Sequence, residues 1–254
     1  SHLIAEKLIT LNPNITKKWI QYWGDPFVND INKNSLLPTS VIKKEEKRLI
    51  GLCDKIIYVS PFTLEEQKKN YPEYRDKMKF VPIPYIKEKI YEKIPNLKTT
   101  LGYFGDYKSK DRNIEPLYNA IAKNKYYYLN ICGNSDVKLE KKENISIRSR
   151  QKMNVIEELE KNSDILVCIC NRKGTQIPGK IYHYAATNKP ILIILDGNRK
   201  KELRKYFESF NRYKLCENTE EDIIKAIKDI INERVEYKPL SLLSPEKIAK
   251  EFIE

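Results

Sequence analysis

A Pro-Gly-Lys turn, Pro178-Gly179-Lys180, stands three residues ahead of His183, the one histidine of the chain away from its N-terminus. Gly174 and Gly179 bracket this loop, and Pro178 can stiffen the entry to the helix that follows. N–H groups at a helix start have no internal partners, and the Lys180 ammonium stands beside them, so the turn can seat an anion such as a phosphate. The imidazole of His183, one helical turn on, can hydrogen-bond a hydroxyl. A second stretch, GYFGDYKSKDRNIEPL (102–117), ends a strand at Gly105 and brings Arg112 to the mouth of a helix, where a guanidinium can fork onto phosphate oxygens. From residue types alone, the first stretch can equally be a plain strand-to-helix connection with a surface lysine, and the second reads first as a loop of solvated charge.

A third candidate is Asp25, in QYWGDPF at the end of a strand: it either orients a substrate hydroxyl or only caps the turn before Pro26. Ser60, closing KIIYVS, is a weaker candidate for the same end of a sheet. Cysteines 53, 132, 168, 170 and 216 are odd in number and contain no Cys-x-x-Cys pair, which argues against a disulfide framework or a structural zinc site. A reducing, cytoplasmic setting is expected. Cys168 and Cys170, two apart on one strand, are expected to be small core residues.

The net charge of +12 comes from 47 basic and 35 acidic side chains and invites an anionic partner. The excess is spread, with 17 basic and 12 acidic residues in 1–95 and 30 and 23 after them. No basic stripe or Arg run forms, so a small anionic ligand or an acidic membrane surface fits better than nucleic acid, which is not expected as a partner. The longest apolar runs are five or six residues and are too short to span a bilayer, so membrane contact is expected to be peripheral.

The elements that must position these residues are short, apolar, β-branched segments at 18–23, 55–60, 79–84, 100–105, 126–133, 145–149, 164–170 and 190–195. Their hydrophobicity is continuous rather than alternating, the pattern of parallel strands covered by helices on both faces. Between them lie amphipathic stretches. Residues 112–124 place Ile114, Leu117, Tyr118 and Ile121 on one face, and 151–163 do the same with Val155, Ile156 and Leu159. The segment 220–234 opens with acids and closes with Arg234, matching a helix dipole, and Ser244-Pro245 reads as the start of a last helix. Residues 84–99 are polar, proline-marked and aperiodic, and read as a linker between an incomplete unit and a complete doubly wound one.

With KIIYVSPFTLEEQKKNYPEYRDKMKFVPIPYI (55–86), LGYFGDYKSKDRNIEPLYNAI (101–121) and NSDILVCICNRKGTQIPGKIYHYAATNKPILII (162–194) in that order, the chain resembles the retaining glycosyltransferases of GT-B architecture. Within these it is most similar to the large family that builds bacterial capsules, O-antigens and glycolipids. The resemblance implies an α/β fold of two Rossmann-like, doubly wound parallel-sheet domains, the first incomplete. Residues 1–93 would be a partial acceptor-side domain, 94–235 the nucleotide-sugar domain, and 236–254 a helix packing back toward the first. It implies an active site in the cleft between them, a nucleotide-sugar donor as substrate, no cofactor, and a saccharide or lipid-linked acceptor. The protein would work in the cytoplasm, peripherally at the inner face of the plasma membrane.

The resemblance also distributes roles. Arg112 and Lys180 would hold the donor diphosphate and support catalysis, with Gly105, Pro178 and Gly179 shaping their loops. Asn134, Arg148 and Arg150 would face the base. Asp25, read from its own strand end rather than from the resemblance, is the catalytic candidate on the acceptor side. The family carries two glutamates eight positions apart, and these fall on Thr175 and His183; here His183 would meet the ribose, and Gln176 would take over part of the first position. The sequence contains no Asp-x-Asp, which fits the metal-independent class. Two other functions stay open: a non-catalytic nucleotide-sugar-binding subunit, and a GT-B-type nucleotide-sugar epimerase.

Overall fold

The structure, a computed structural model, describes residues 2–31, 36–233 and 235–253; Arg234 lies outside them. The chain forms two compact units. The first comprises 1–83, 174–177 and 248–254, and the second 84–173 and 178–247.

In the first unit, α1 (His2–Leu11), β1 (Ile20–Trp23), α2 (Thr39–Leu52), β2 (Lys55–Tyr58), α3 (Pro61–Asn70), a 3-10 turn (Pro72–Lys77) and β3 (Met78–Phe80) follow in order. The strands are parallel in the order β1-β2-β3. The strand expected at 79–84 is only three residues long, since two prolines, Pro82 and Pro84, remove ladder donors. Ser60 caps α3 by accepting from the Thr63 amide, Pro61 takes the first helical position, and Lys68 and Lys69 occupy the last turn. Trp23, Leu49, Ile50, Ile56 and Tyr58 make the core, while Leu3, Ile4, Leu8 and Leu11 of α1 remain exposed.

The second unit contains β4 (Thr99–Phe104), α4 (Glu115–Ala122), β5 (Tyr127–Cys132), β6 (Ile145–Arg148), α5 (Met153–Lys161), β7 (Ile165–Ile169), α6 (Lys180–Tyr184), β8 (Ile191–Leu195), α7 (Lys200–Glu208), β9 (Lys214–Glu217) and α8 (Glu220–Glu233). A last helix, α9 (Pro245–Ile253), starts here, with Ser244 accepting from the Lys247 amide, and its end belongs to the first unit, where Phe252 packs on Tyr22. Residues 84–99 run along the second unit: the Lys89 amide donates to the Ala186 carbonyl, and Tyr91 pairs with the Asn188 side chain.

All strands of the second sheet are parallel, ordered β6-β5-β4-β7-β8-β9. Numbered within the unit this is 3-2-1-4-5-6, the order of dinucleotide-binding sheets. The crossovers go opposite ways from β4 and from β7, which opens a crevice beyond the carboxyl ends of those two strands. Strands β7 and β8 are buried throughout, as their unbroken apolar runs require. The face read from sequence as Ile114, Leu117, Tyr118 and Ile121 is buried in the core beside Ile223 and Ile227 of α8.

Two loops at the crevice come unusually close. The Gly105 amide donates to the Cys132 carbonyl at 2.8 Å, and a Cβ on Gly133 would fall 2.0 Å from the Gly105 oxygen. Both neighbours are backbone, so neither can step aside. Gly133→Ala is expected to destabilise the protein by about 1–3 kcal/mol, the usual cost of overpacking. The urea midpoint, compared with that of the cavity-forming Ile227→Ala at about 2–5 kcal/mol, checks it.

Candidate active site

The carboxyl ends of β4, β5 and β7 open on a cavity of about 610 Å³ in the second unit. Of the residues singled out in the sequence, Gly105, Arg112, Arg150, Pro178, Gly179, Lys180 and His183 line it.

Arg112 lies in the loop three residues ahead of α4, not in its first turn. Its amide is already bonded to the Lys108 carbonyl, so it approaches the cavity through its side chain alone. Nε donates to Asn171 Oδ1 at 2.8 Å and Nη1 to the Asp106 carbonyl at 3.1 Å, with the Tyr103 hydroxyl also in bonding range. Every one of these partners is neutral. The guanidinium is therefore aimed while its charge is left unbalanced.

Lys180 opens α6, a helix of only five residues, too short to supply the full dipole that a longer helix would bring. The chain must leave it early, because Thr187 folds back on Tyr184 and β8 begins at Ile191. What α6 offers an anion is the free amide N–H of Gly179 and of Lys180, neither bonded among the described residues, and the ammonium itself. The stem of Lys180 crosses Gly105, where a Cβ would meet Cε at 2.9 Å. Nζ makes no hydrogen bond or ion pair among the described residues. Burial pushes the Lys180 pKa below its ordinary value, and the Arg112 charge works in the same direction. Cys132 and Cys168 line the same wall, and burial raises both thiols, Cys168 to about 11, so they remain neutral neighbours.

Asp106, which the sequence reading passed over, organises the loop. Burial opposes its ionisation, but the Asn134 amide, Arg150 and Lys180 together hold its pKa below the carboxylate norm. Asn134 and Arg150 are thus engaged by Asp106: the Asn134 amide donates to Oδ1 at 2.9 Å, and the Arg150 guanidinium pairs with the other oxygen. Arg148, exposed at the end of β6, accepts from the Gly133 amide through its carbonyl and is not among the residues lining the cavity. His183 sits exposed on the rim, and its pKa is lowered by the surrounding protein and then by Lys180. A buried glutamate, Glu160 of α5, also lines the cavity and was not found from sequence, where EELEKNS looks like an ordinary solvated helix end.

Asp25 and Gln176 lie in the first unit. Burial and the charge of Asp30 raise the Asp25 pKa, against a hydrogen bond from Gln176. Gln176 Nε2 also donates to the Asn29 carbonyl at 3.3 Å. Ser60 Oγ and Thr63 Oγ1 both donate to the Thr175 carbonyl, and Thr63 to the Thr175 hydroxyl at 2.9 Å, so Thr175 is held structurally. Among the described residues, no group of three or more His, Cys, Asp or Glu is arranged to hold a metal ion, and no helix is long and apolar enough to cross a membrane.

The sequence matches no protein-family model and no curated protein. Solved structures do resemble the fold. HepE from Anabaena, in complex with UDP and glucose, is 10% identical with a TM-score of 0.63, covering 98% of this chain and 70% of that one. A glycosyltransferase from Rickettsia africae is 14% identical with a TM-score of 0.60, covering 92% and 66%. The apo form of WaaB, a lipopolysaccharide outer core galactosyltransferase, is 15% identical with a TM-score of 0.57, covering 83% and 63%. The fold matches that of the GT-B glycosyltransferases. The chain spans about two thirds of the length of these GT-B structures.

The lowered Lys180 pKa has a stability consequence. The folded state disfavours the charged amine, so the penalty is present below the folded pKa and fades as pH rises through the unfolded value near 10.5. Lys180→Met is expected to stabilise the protein at pH 7 by about 0.5–2 kcal/mol, a typical gain for relieving a functional site. The gain shrinks toward pH 11, as urea unfolding at both pH values would show.

Proposed function

We propose that the protein is a glycosyltransferase that takes a sugar from a nucleotide-diphosphate donor. The observation that carries this is the pair Arg112 and Lys180, both aimed into a crevice at a strand-order reversal and neither neutralised by a carboxylate. When the sugar leaves its donor, negative charge grows on the diphosphate. Fixed cations and the free amides of Gly179 and Lys180 meet that charge without reorganising, which lowers the barrier. An arriving diphosphate also gives the half-buried ammonium a counter-charge. On the first unit, Asp25, its pKa raised by burial and by Asp30, is the group for orienting an acceptor hydroxyl.

Retention of configuration, a saccharide or lipid-linked acceptor, and a place in cell-surface polysaccharide or glycolipid synthesis at the cytoplasmic membrane face are proposed from the sequence resemblance. The UDP and glucose bound to HepE make a UDP-sugar the first donor to try. The Thr175 and His183 found at the family's two glutamate positions favour a second reading, a nucleotide-sugar-binding subunit without turnover; release of labelled sugar from a donor panel separates the two.

Calorimetry against UDP, GDP and pyrophosphate tests the donor site. Arg112→Ala and Lys180→Ala are each expected to weaken nucleoside diphosphate binding about tenfold to a hundredfold, the worth of a charged hydrogen bond. His183→Ala should cost about fivefold, and less for pyrophosphate. Because side-chain cations are proposed to carry the charge balance, binding should survive EDTA. Folded Arg112→Ala and Lys180→Ala proteins that bind as tightly as the parent would remove the assignment.

A further inference from the structure

In the first unit, Glu46 stands on the inner face of α2 beside Leu49 and Ile50 and is 0% exposed. Its Oε2 accepts from the Val28 amide at 2.7 Å. Oε1 is sealed from solvent and makes no hydrogen bond among the described residues. Around it stand Tyr58 of β2, Gln67 and Glu66 of α3, and Tyr71, which closes that helix. The charged side chain acting on Glu46 is Glu66, a like charge, and no cation bonds either oxygen among the described residues. The neighbours are short of partners as well: the Tyr58 hydroxyl and both ends of the buried Gln67 amide are sealed and unmet.

An ionised carboxylate brings only acceptors to this group and buries a charge without a counter-ion, the costliest arrangement a core can hold. A proton resolves both. As the neutral acid, Glu46 keeps Oε2 as the acceptor for the Val28 amide and turns Oε1 into a donor toward the unmet oxygen of Gln67. Burial raises the Glu46 pKa and Glu66 acts in the same direction, against the Val28, Gln67 and Phe27 hydrogen-bonding groups.

Val28 belongs to the loop after β1, residues 24–30, which also carries Asp25. Within the unit this loop is held at several points. The Phe27 ring rests on Trp23 with centroids 4.6 Å apart, and Gln176 bonds the Asn29 carbonyl as well as Asp25. The Glu46 contact reaches the middle of the loop from α2. On the acceptor-side reading of Asp25 above, we infer that Glu46, as a neutral acid, is the positioning residue for Asp25: it fixes the 24–30 loop through the Val28 amide and so sets where the Asp25 carboxyl stands.

Glu46→Gln keeps an acceptor for Val28 and a donor for Gln67 but has no proton to lose, whereas Glu46→Ala keeps neither group. Exchange of the Val28 amide, followed by NMR on the full chain, should stay within about twofold of the unmodified protein in Glu46→Gln and run about tenfold faster in Glu46→Ala. A folded-state pKa above the ordinary 4.5 means that the Glu46 proton stabilises the fold, fully below that value and progressively less as pH rises through the folded pKa. The urea midpoint of the unmodified protein, taken relative to Glu46→Gln, should therefore fall between about pH 5 and pH 8. With labelled UDP- and GDP-sugars, Glu46→Ala should lower kcat for sugar release by about tenfold to a hundredfold with the donor KM unchanged, and Glu46→Gln should restore it. A midpoint difference that stays flat with pH, which needs only the isosteric variant to fold, would overturn the inference, as would unchanged Val28 exchange in folded Glu46→Ala. Asp25→Asn separates the two readings. If it releases sugar as fast as the unmodified protein, or if the unmodified protein releases none, the Asp25 reading fails and the Glu46 role fails with it. If Asp25→Asn is impaired and folded Glu46→Ala is not, Glu46 alone is misassigned.

Discussion

Two positive charges repel each other across one cavity, and among the described residues no carboxylate bonds to either of them. A folded chain tolerates such an arrangement only when the surroundings over-determine it. Here the constraint is met by neutral acceptors: Asn171 Oδ1 and the Asp106 carbonyl fix Arg112, while Gly105 makes room for the Lys180 stem. The strand reversal between β4 and β7 places both residues, since Arg112 follows the first of these strands and Lys180 the second. Replacing Asn171 by an acid would satisfy the guanidinium and at the same stroke remove the attraction for an anion.

Three acidic groups of the second unit make their hydrogen bonds to partners other than these two cations. Asp106 spends its oxygens on Arg150 and the Asn134 amide, Asp136 on the Ser109 amide and hydroxyl, and Glu160 one oxygen on Lys89 and Tyr91. The loops after β4 and β5 are stitched further by Tyr107 donating to the Asn134 carbonyl and Ser135 to the Tyr107 carbonyl at 2.6 Å. These bonds act on geometry more than on stability, because exposed ion pairs contribute little. Their effect is to fix the Asp106 and Asp136 carboxylates on these loops.

How much of this was legible beforehand depended on burial. Strands buried on both faces write themselves as apolar runs, so β7 and β8 could be read directly. Edge strand β9, KLCE, buries only Cys216 and interleaves charge, and it left no signal of either period. Arg112 and Lys180, singled out by the glycine-marked stretches ahead of them, both line the cavity, although the helices behind them begin later or run shorter than the pattern suggested. Asp106 and Glu160 were not, because nothing local distinguishes a carboxylate that faces water from one that faces a cavity. Their partners lie 44 and 71 positions away along the chain.

Residues 174–177 belong with the first unit although their neighbours on both sides belong to the second. The polypeptide therefore passes from one unit to the other four times, and no single cut divides it into its two parts. Anyone building chimaeras, with the second unit of one chain grafted onto the first unit of another, must treat this four-residue island as the property of the first unit. Exchanging 84–247 as one block would carry off Thr175 from Ser60 and Thr63 and would separate Gln176 from Asp25. Recombination at 83/84 and 247/248 alone breaks a hydrogen-bond network that a linear map of the gene does not reveal.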